Sequence, residues 1–152
     1  ADSRRLDGAV SPHLFALLER VHGHAALLGL ALLLHPVITL RRREVLALWT
    51  VRTAEVAAVL LTVPWLLGWW LYPTYRTDVK PALWADHQPV ALLFETKEHL
   101  AAATLFWAVS GALTLRVAGG TPSGRKAAWA LLLAAWLAGI MAGGLGIYVA
   151  AH

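Results

Sequence analysis

Residues 13–40 read HLFALLERVHGHAALLGLALLLHPVITL, and this stretch decides the fold class. It is apolar along most of its length and exceeds the roughly 20 residues that a helix needs to cross a bilayer. Three further stretches, at about 44–72, 88–116 and 126–151, share this character. None alternates polar and apolar residues as a barrel strand does, and only helices and closed barrels satisfy their backbone groups in lipid. We therefore predict four transmembrane helices.

The composition also indicates an integral membrane protein. Of the 152 residues, 59% are hydrophobic and 14% are charged, which is unlike an ordinary soluble domain. The connections between the segments are short, so we predict an all-α, up-down-up-down four-helix bundle over residues 1–152, with the first and third helices diagonally opposite. The chain contains no cysteine, which excludes disulfides, iron–sulfur clusters and thiolate ligands.

Basic residues set the predicted orientation of the bundle. One group follows the first and third segments and consists of Arg41, Arg42, Arg43, Arg116, Arg125 and Lys126. The opposite side carries Arg4, Arg5, Arg76 and Lys80, diluted by Asp2, Asp7, Asp78 and Asp86. By the positive-inside rule the first group is cytoplasmic, so we place both termini and the loop 73–87 outside a bacterial inner membrane. The net charge of +4 thus indicates topology and not nucleic-acid binding.

Two histidines, His24 and His99, are predicted to lie at one depth in the membrane. At about 1.5 Å of rise per residue, each lies about 25 Å from the basic end of its helix. Ionisable residues inside a bilayer are functional candidates, and two facing imidazoles can ligate a haem iron. At the same level the fourth segment carries Gly143 and Gly144, and glycines permit the close approach of a flat ligand.

Side chains suited to haem propionates lie on the outer side of this pair. Arg20 is one turn from His24, Lys97 is half a turn from His99, and Tyr148 is one turn beyond the glycines. The alternative ligand on the first helix is His22, which points about 200° away from His24. We select His24 because His35 follows it by three turns on the same face. A simpler interpretation is that the histidines form interhelical hydrogen bonds and the glycines a close-packing surface.

Two other polar groups are weaker candidate sites. Glu95 and His99 are four residues apart and share a helix face, so combined with His22 or His24 they are candidates for a zinc, copper or iron site. Glu95, Glu98 and His99 are also candidates for a metal or proton carrier. In the inner half, Arg52 and Glu55 are spaced for an ion pair. With His35 they are candidates for a quinone pocket or a proton relay, the alternative being a purely structural ion pair.

The arrangement resembles membrane-anchor b-type cytochromes, which are four-helix proteins whose facing histidines ligate haem b. The resemblance rests on His24, His99, Arg20 and Lys97. It implies one haem b and electron transfer between a quinone pool and a periplasmic carrier or partner subunit. Two-haem cytochromes need four membrane histidines in two layers, which this sequence does not offer.

Three functional hypotheses follow. The first is a single-haem electron-transfer subunit of a larger redox complex. The second is a cofactor-free accessory subunit of a respiratory or photosynthetic assembly, surrounded by lipid and partner subunits. The third is the metal or proton carrier. The sequence has no nucleophile–base pair or phosphate-binding loop, so an independent enzymatic activity is not expected.

Overall fold

The computed structural model of the protein describes residues 12–42 and 46–151, and these residues form helices with short connections. The α-helices are α1 (Pro12–Arg42), α2 (Leu48–Thr74), α3 (Lys80–Asp86), α4 (Gln88–Ala118) and α5 (Pro122–Ala150). Four of them, all except α3, are long and apolar enough to cross a membrane. The predicted all-helical class is therefore confirmed for the described residues, and each of the four predicted segments contains a helix long and apolar enough to span a membrane.

The segment 73–87, predicted to be a loop, is instead largely helical. A π-helical turn, Tyr75–Val79, continues from α2 and leads into α3. Of its two prolines, Pro73 lies in the last turn of α2 and Pro81 directly follows the π-helical turn as the second residue of α3. The hydroxyl of Thr77 donates to the carbonyl of Pro73 at 3.2 Å.

The last long helix also begins earlier than predicted, at Pro122 instead of residue 126. Thr121 caps it, because its hydroxyl oxygen accepts the N–H of Gly124 at 3.0 Å. A Ser, Thr, Asp or Asn cap followed by proline is a helix-start signal. In the sequence, the surrounding glycines make the same residues look like a plain turn.

The four long helices pack around a shared core. Helix α1 packs mainly against α2 and α5, and α4 packs against the same two helices. Helices α1 and α4, the predicted first and third segments, are therefore not neighbours. Glycines let the helices approach closely: a Cβ on Gly29 would lie 2.9 Å from Leu61 Cγ, and one on Gly111 would lie 2.8 Å from Leu132 Cγ.

The main cluster of buried residues lies in one half of the bundle, the half nearest the connections after α1 and α4; Val90 and Ala91, at the other end of α4, are buried outside this cluster. We call the half that holds the cluster the packed half; Leu33, Leu115 and Leu132 are fully buried there. In the other half, which we call the open half, no described residue of α1 before Gly29 is buried. The same holds for α2 after Pro64 and for α5 after Gly139. The predicted haem-binding residues all lie in the open half.

Candidate functional site in the open half of the bundle

The His24 and His99 rings are held in the same way by their own helices. His24 Nδ1 lies 2.7 Å from the carbonyl oxygen of Arg20, and His99 Nδ1 lies 2.7 Å from that of Glu95. A carbonyl only accepts, so each Nδ1 carries a proton, and in the neutral imidazole the lone pair is then on Nε2. Metal-ligating histidines are typically oriented by such a bond from the second ring nitrogen.

The two rings nevertheless point away from the centre of the bundle. On α1 the core side is marked by the buried Leu30 and Leu33, whereas His24 is exposed. On α4 the core side is marked by the buried Ala108, and His99 belongs to an exposed stripe with Leu92 and Phe106. Because α1 and α4 are not neighbours, these outward faces point in different directions. The structure therefore places His24 and His99 on outward faces of two helices that are not neighbours, and ligation of a haem by the two residues stays a prediction.

His24 and His35, which their spacing places on one inward face, lie instead on the outer face of α1. The two residues do share a face of α1, since both are exposed. That face is the outer one, and the imidazole turned inward is His22. The His22 ring packs against α2, where a Cβ on Gly68 would lie 3.4 Å from its Cε1 atom. Its Nδ1 atom is buried and has no hydrogen-bond partner among the described residues.

The residues predicted to line a haem pocket are divided between the interior and the surface. Gly143 and Gly144 are exposed, and a Cβ on either would have no neighbouring atom within 4 Å. Arg20 and Tyr148 are exposed. Lys97 is the predicted propionate partner that lies between helices, with its stem 3.5 Å from where a Cβ of Gly146 would be.

A cluster of polar and aromatic residues lies at the end of the open half, where the segment after α2 meets α4. Its members, which we call the rim cluster, are Tyr75, Lys80, Phe94, Glu95 and Lys97. Lys80 Nζ donates to Glu95 Oε1 at 2.7 Å, and this hydrogen bond raises the pKa of Lys80 above its usual value. Tyr75 stacks on Phe94 with ring centroids 3.8 Å apart, and Lys97 Nζ lies 4.4 Å from the centre of the Phe94 ring.

Sequence reasoning missed most of this cluster. It identified the polar stretch around Glu95 and Lys97 but assigned Tyr75 and Lys80 to a loop. The contacts join the segment after α2 to the first turns of α4. Lys80 and Glu95 are 15 residues apart, and no helical spacing predicts a contact between residues that far apart in different helices. The one available signal was the presence of opposite charges at the same predicted membrane face.

The inner polar group forms an ion-pair network that leaves out His35. Glu55 accepts from Arg52 at 3.1 Å, as the spacing predicts, and its other oxygen accepts from Arg116 of α4 at 2.9 Å. His35 is exposed on α1, and its carbonyl accepts the Thr39 hydroxyl at 2.7 Å. The structure therefore joins Arg52 and Glu55 and adds Arg116, which the sequence analysis had treated only as a topology signal.

The described residues contain no group of three or more histidine or carboxylate side chains placed to hold a metal ion. Of the predicted metal set, Glu95 is bound to Lys80, whereas His99 is exposed on α4. Glu95, Glu98 and His99 are thus not assembled around a common point.

Comparison with known proteins finds no matching family model, no matching curated protein and no matching solved structure. The function must therefore be inferred from the geometry of this chain.

Proposed function

We propose that the chain is a membrane-embedded subunit of a larger membrane protein assembly, in which the outer faces of α1 and α4 contact helices of other subunits. The observation that supports this most directly is the exposure of His24 and His99 on two helices long and apolar enough to span a membrane. Ionisable side chains within transmembrane segments almost always face protein or a water-filled cavity. Partner helices would supply such an environment at both faces.

The geometry of the two rings favours a specific contact over simple tolerance of a polar residue. Each Nδ1 is already bonded to its own helix at 2.7 Å, so each Nε2 is left to accept a hydrogen bond from outside the helix. In lipid that acceptor has no partner, whereas a serine, threonine or tyrosine hydroxyl of a neighbouring helix satisfies it. The two imidazoles would thereby fix the register of the helices packed against them.

The proposal includes an up-down-up-down topology in a bacterial inner membrane, with both termini outside the cytoplasm. Its support is the order of contacts, since His22 lies against Gly68 and Gly29 lies against Leu61. Moving forward along α1 is therefore moving backward along α2. The arginines at 41–43 and those near the connection 119–121 would then share the cytoplasmic face.

Purification from native membranes in a mild detergent tests the proposal. We expect the tagged chain to migrate in a native gel as a complex much larger than 16.4 kDa plus its detergent. His24→Ala and His99→Ala should each reduce recovery of the complex, whereas His87→Ala should not, because His87 lies between α3 and α4, outside the spanning helices. Unchanged complexes in both variants, or a monomeric wild type, would overturn the proposal.

A second candidate function is electron transfer with haem b bound at such a subunit contact. It is favoured by one observation, the free Nε2 atoms that the Nδ1 bonds leave on His24 and His99. When bound, a haem supplies one-electron chemistry. Because the two rings face different directions, each would need its second axial ligand from another chain.

The optical spectrum of the purified assembly separates the two candidates. A sharp reduced α band with a positive pyridine haemochrome assay, lost in His24→Ala or His99→Ala while the protein stays in the membrane, would establish the haem subunit. A colourless assembly that still depends on both histidines would leave the structural role alone.

A further inference from the structure

A groove lies between α1 and α5 at the packed end of the bundle. It has a volume of about 400 Å³ and is lined by Val37, Ile38, Arg41, Arg42, Trp129 and Leu133. Neither the ion-pair network of Glu55 nor the open half includes any of these residues. The groove is therefore a separate feature that needs its own explanation.

The position of Trp129 gives the groove a fixed shape. Its indole Nε1–H donates across the helix interface to the backbone carbonyl of Val37 at 3.1 Å, so the ring bridges α5 and α1. Leu133 lies one turn further along α5 on the same side. Ile38 remains 43% exposed, so the apolar wall is open to the surroundings of the bundle.

The mouth of the groove is positively charged. Arg41 and Arg42 occupy the last turn of α1, and both are exposed. Among the described residues, no acidic side chain lines the groove. Guanidinium groups bind phosphate oxygens through paired, charge-assisted hydrogen bonds, and they more than offset the weak negative end of the α1 dipole.

We propose that this groove binds one anionic phospholipid, with its phosphate at Arg41 and Arg42 and an acyl chain along Ile38 and Leu133. The placement agrees with lipid anatomy, because the arginines end a spanning helix where headgroups lie and the apolar wall extends toward the hydrocarbon. Basic pockets between transmembrane helices are typical sites for acidic headgroups. The tryptophan is at the interfacial level that this residue prefers.

Native mass spectrometry of the full chain, delipidated and then titrated with defined lipids, tests the site. We expect one phosphatidylglycerol or cardiolipin to bind at least tenfold more tightly than phosphatidylcholine. Arg41→Gln with Arg42→Gln should weaken that binding about 30-fold, since each basic residue near an anionic headgroup contributes about 1 kcal/mol. Arg52→Gln with Arg116→Gln is the matched control, because it removes two positive charges from α2 and α4 at the same end of the bundle.

A second variant tests the groove without changing its charge. Ile38→Trp fills the apolar wall and should also lower affinity for the anionic lipid, with the thermal stability of the lipid-free protein unchanged. Equal binding of phosphatidylcholine and phosphatidylglycerol, or full binding by the double arginine variant, would overturn the proposal. Displacement of the lipid by millimolar inorganic phosphate would assign the site to a free anion instead.

Discussion

His22 and His24 are separated by one glycine yet belong to opposite environments of the same helix. His22 packs against Gly68 of α2 with a buried Nδ1, whereas His24 is exposed with its Nδ1 bonded to Arg20. The helical repeat imposes this, since residues two apart point about 200° away from each other. One short sequence, His22-Gly23-His24, therefore supplies one imidazole to the interior and one to the outer surface.

Removing the outward imidazoles should leave the isolated chain stable. We expect His24→Ala and His99→Ala to change the free energy of unfolding by less than about 0.5 kcal/mol, because each ring bonds only to its own helix. Leu33→Ala serves as the destabilising comparison and should cost about 2–5 kcal/mol, since Leu33 is fully buried. Denaturation of the detergent-solubilised chain measures both. A loss above 2 kcal/mol in either histidine variant would show that the ring packs within this chain.

Two glycines one turn apart on α5 should respond oppositely to alanine. A Cβ on Gly139 would overlap the Leu30 side chain and lie 3.2 Å from Thr104 Cγ2, whereas one on Gly143 would meet nothing within 4 Å. Gly139→Ala should therefore destabilise by about 1–3 kcal/mol through overpacking. Gly143→Ala should stabilise by up to about 1 kcal/mol because alanine is the better helix former.

Thermal unfolding of the two variants in one detergent checks the difference. Both substitutions add one methyl group to the same helix, so any difference between them comes from the surroundings of the two residues. Equal shifts in the melting temperature would mean that the open half is filled at Gly143.

The two ion pairs of Glu55 should contribute unequally to the free energy of unfolding of the bundle. Arg116 connects α4 to α2, whereas Arg52 is on the same helix as Glu55, and the two arginine side chains are 65% and 62% exposed. Solvent exposure limits each pair to at most about 1 kcal/mol. A double-mutant cycle with Glu55→Gln should give the larger coupling for Arg116→Gln. A larger coupling for Arg52 would mean that Glu55 stabilises α2 alone.

The ion pair between Lys80 and Glu95 should hold α3 against α4. We expect Glu95→Gln to speed amide hydrogen exchange in residues 75–86 several-fold, with Asp86→Asn as the control because Asp86 is exposed. The pKa of Lys80 is raised above 10.5 by the bond to Glu95. The contribution of the Lys80–Glu95 ion pair to stability is therefore fully present below about pH 10 and is lost as the pH rises through the raised pKa of Lys80. After correction for the intrinsic exchange rate, the protection of residues 75–86 should therefore not vary with pH between pH 6 and 9 through the titration of Lys80.

The helices could be predicted from the sequence because lipid imposes the same requirement on every residue of a span. Long apolar runs identified α1, α2, α4 and α5 to within a few residues. The faces of those helices could not be predicted in the same way. A spanning helix is apolar on all sides, so its pattern does not distinguish the core side from the outer side, and His24 was assigned to the interior on its spacing alone.

The features that depend on distant contacts were also beyond the sequence. The link from Arg116 to Glu55 joins residues 61 positions apart, and the groove at Trp129 requires the relative placement of α1 and α5. By contrast, the pair Arg52–Glu55 was predictable because the helix itself sets its geometry. Local spacing is reliable within one helix, whereas the pairing of helices depends on side-chain shapes along their whole length.

The concentration of the hydrophobic core in the packed half has a consequence for the motion of α1 and α5. The ends of α1 before Gly29 and of α5 after Gly139 have no buried residue among those described, so separating them breaks few apolar contacts. Local opening there should cost little free energy, while the layers around Leu33 and Leu132 should exchange only on global unfolding. We therefore expect α1 and α5 to separate locally in the open half while the packed half keeps the two helices together.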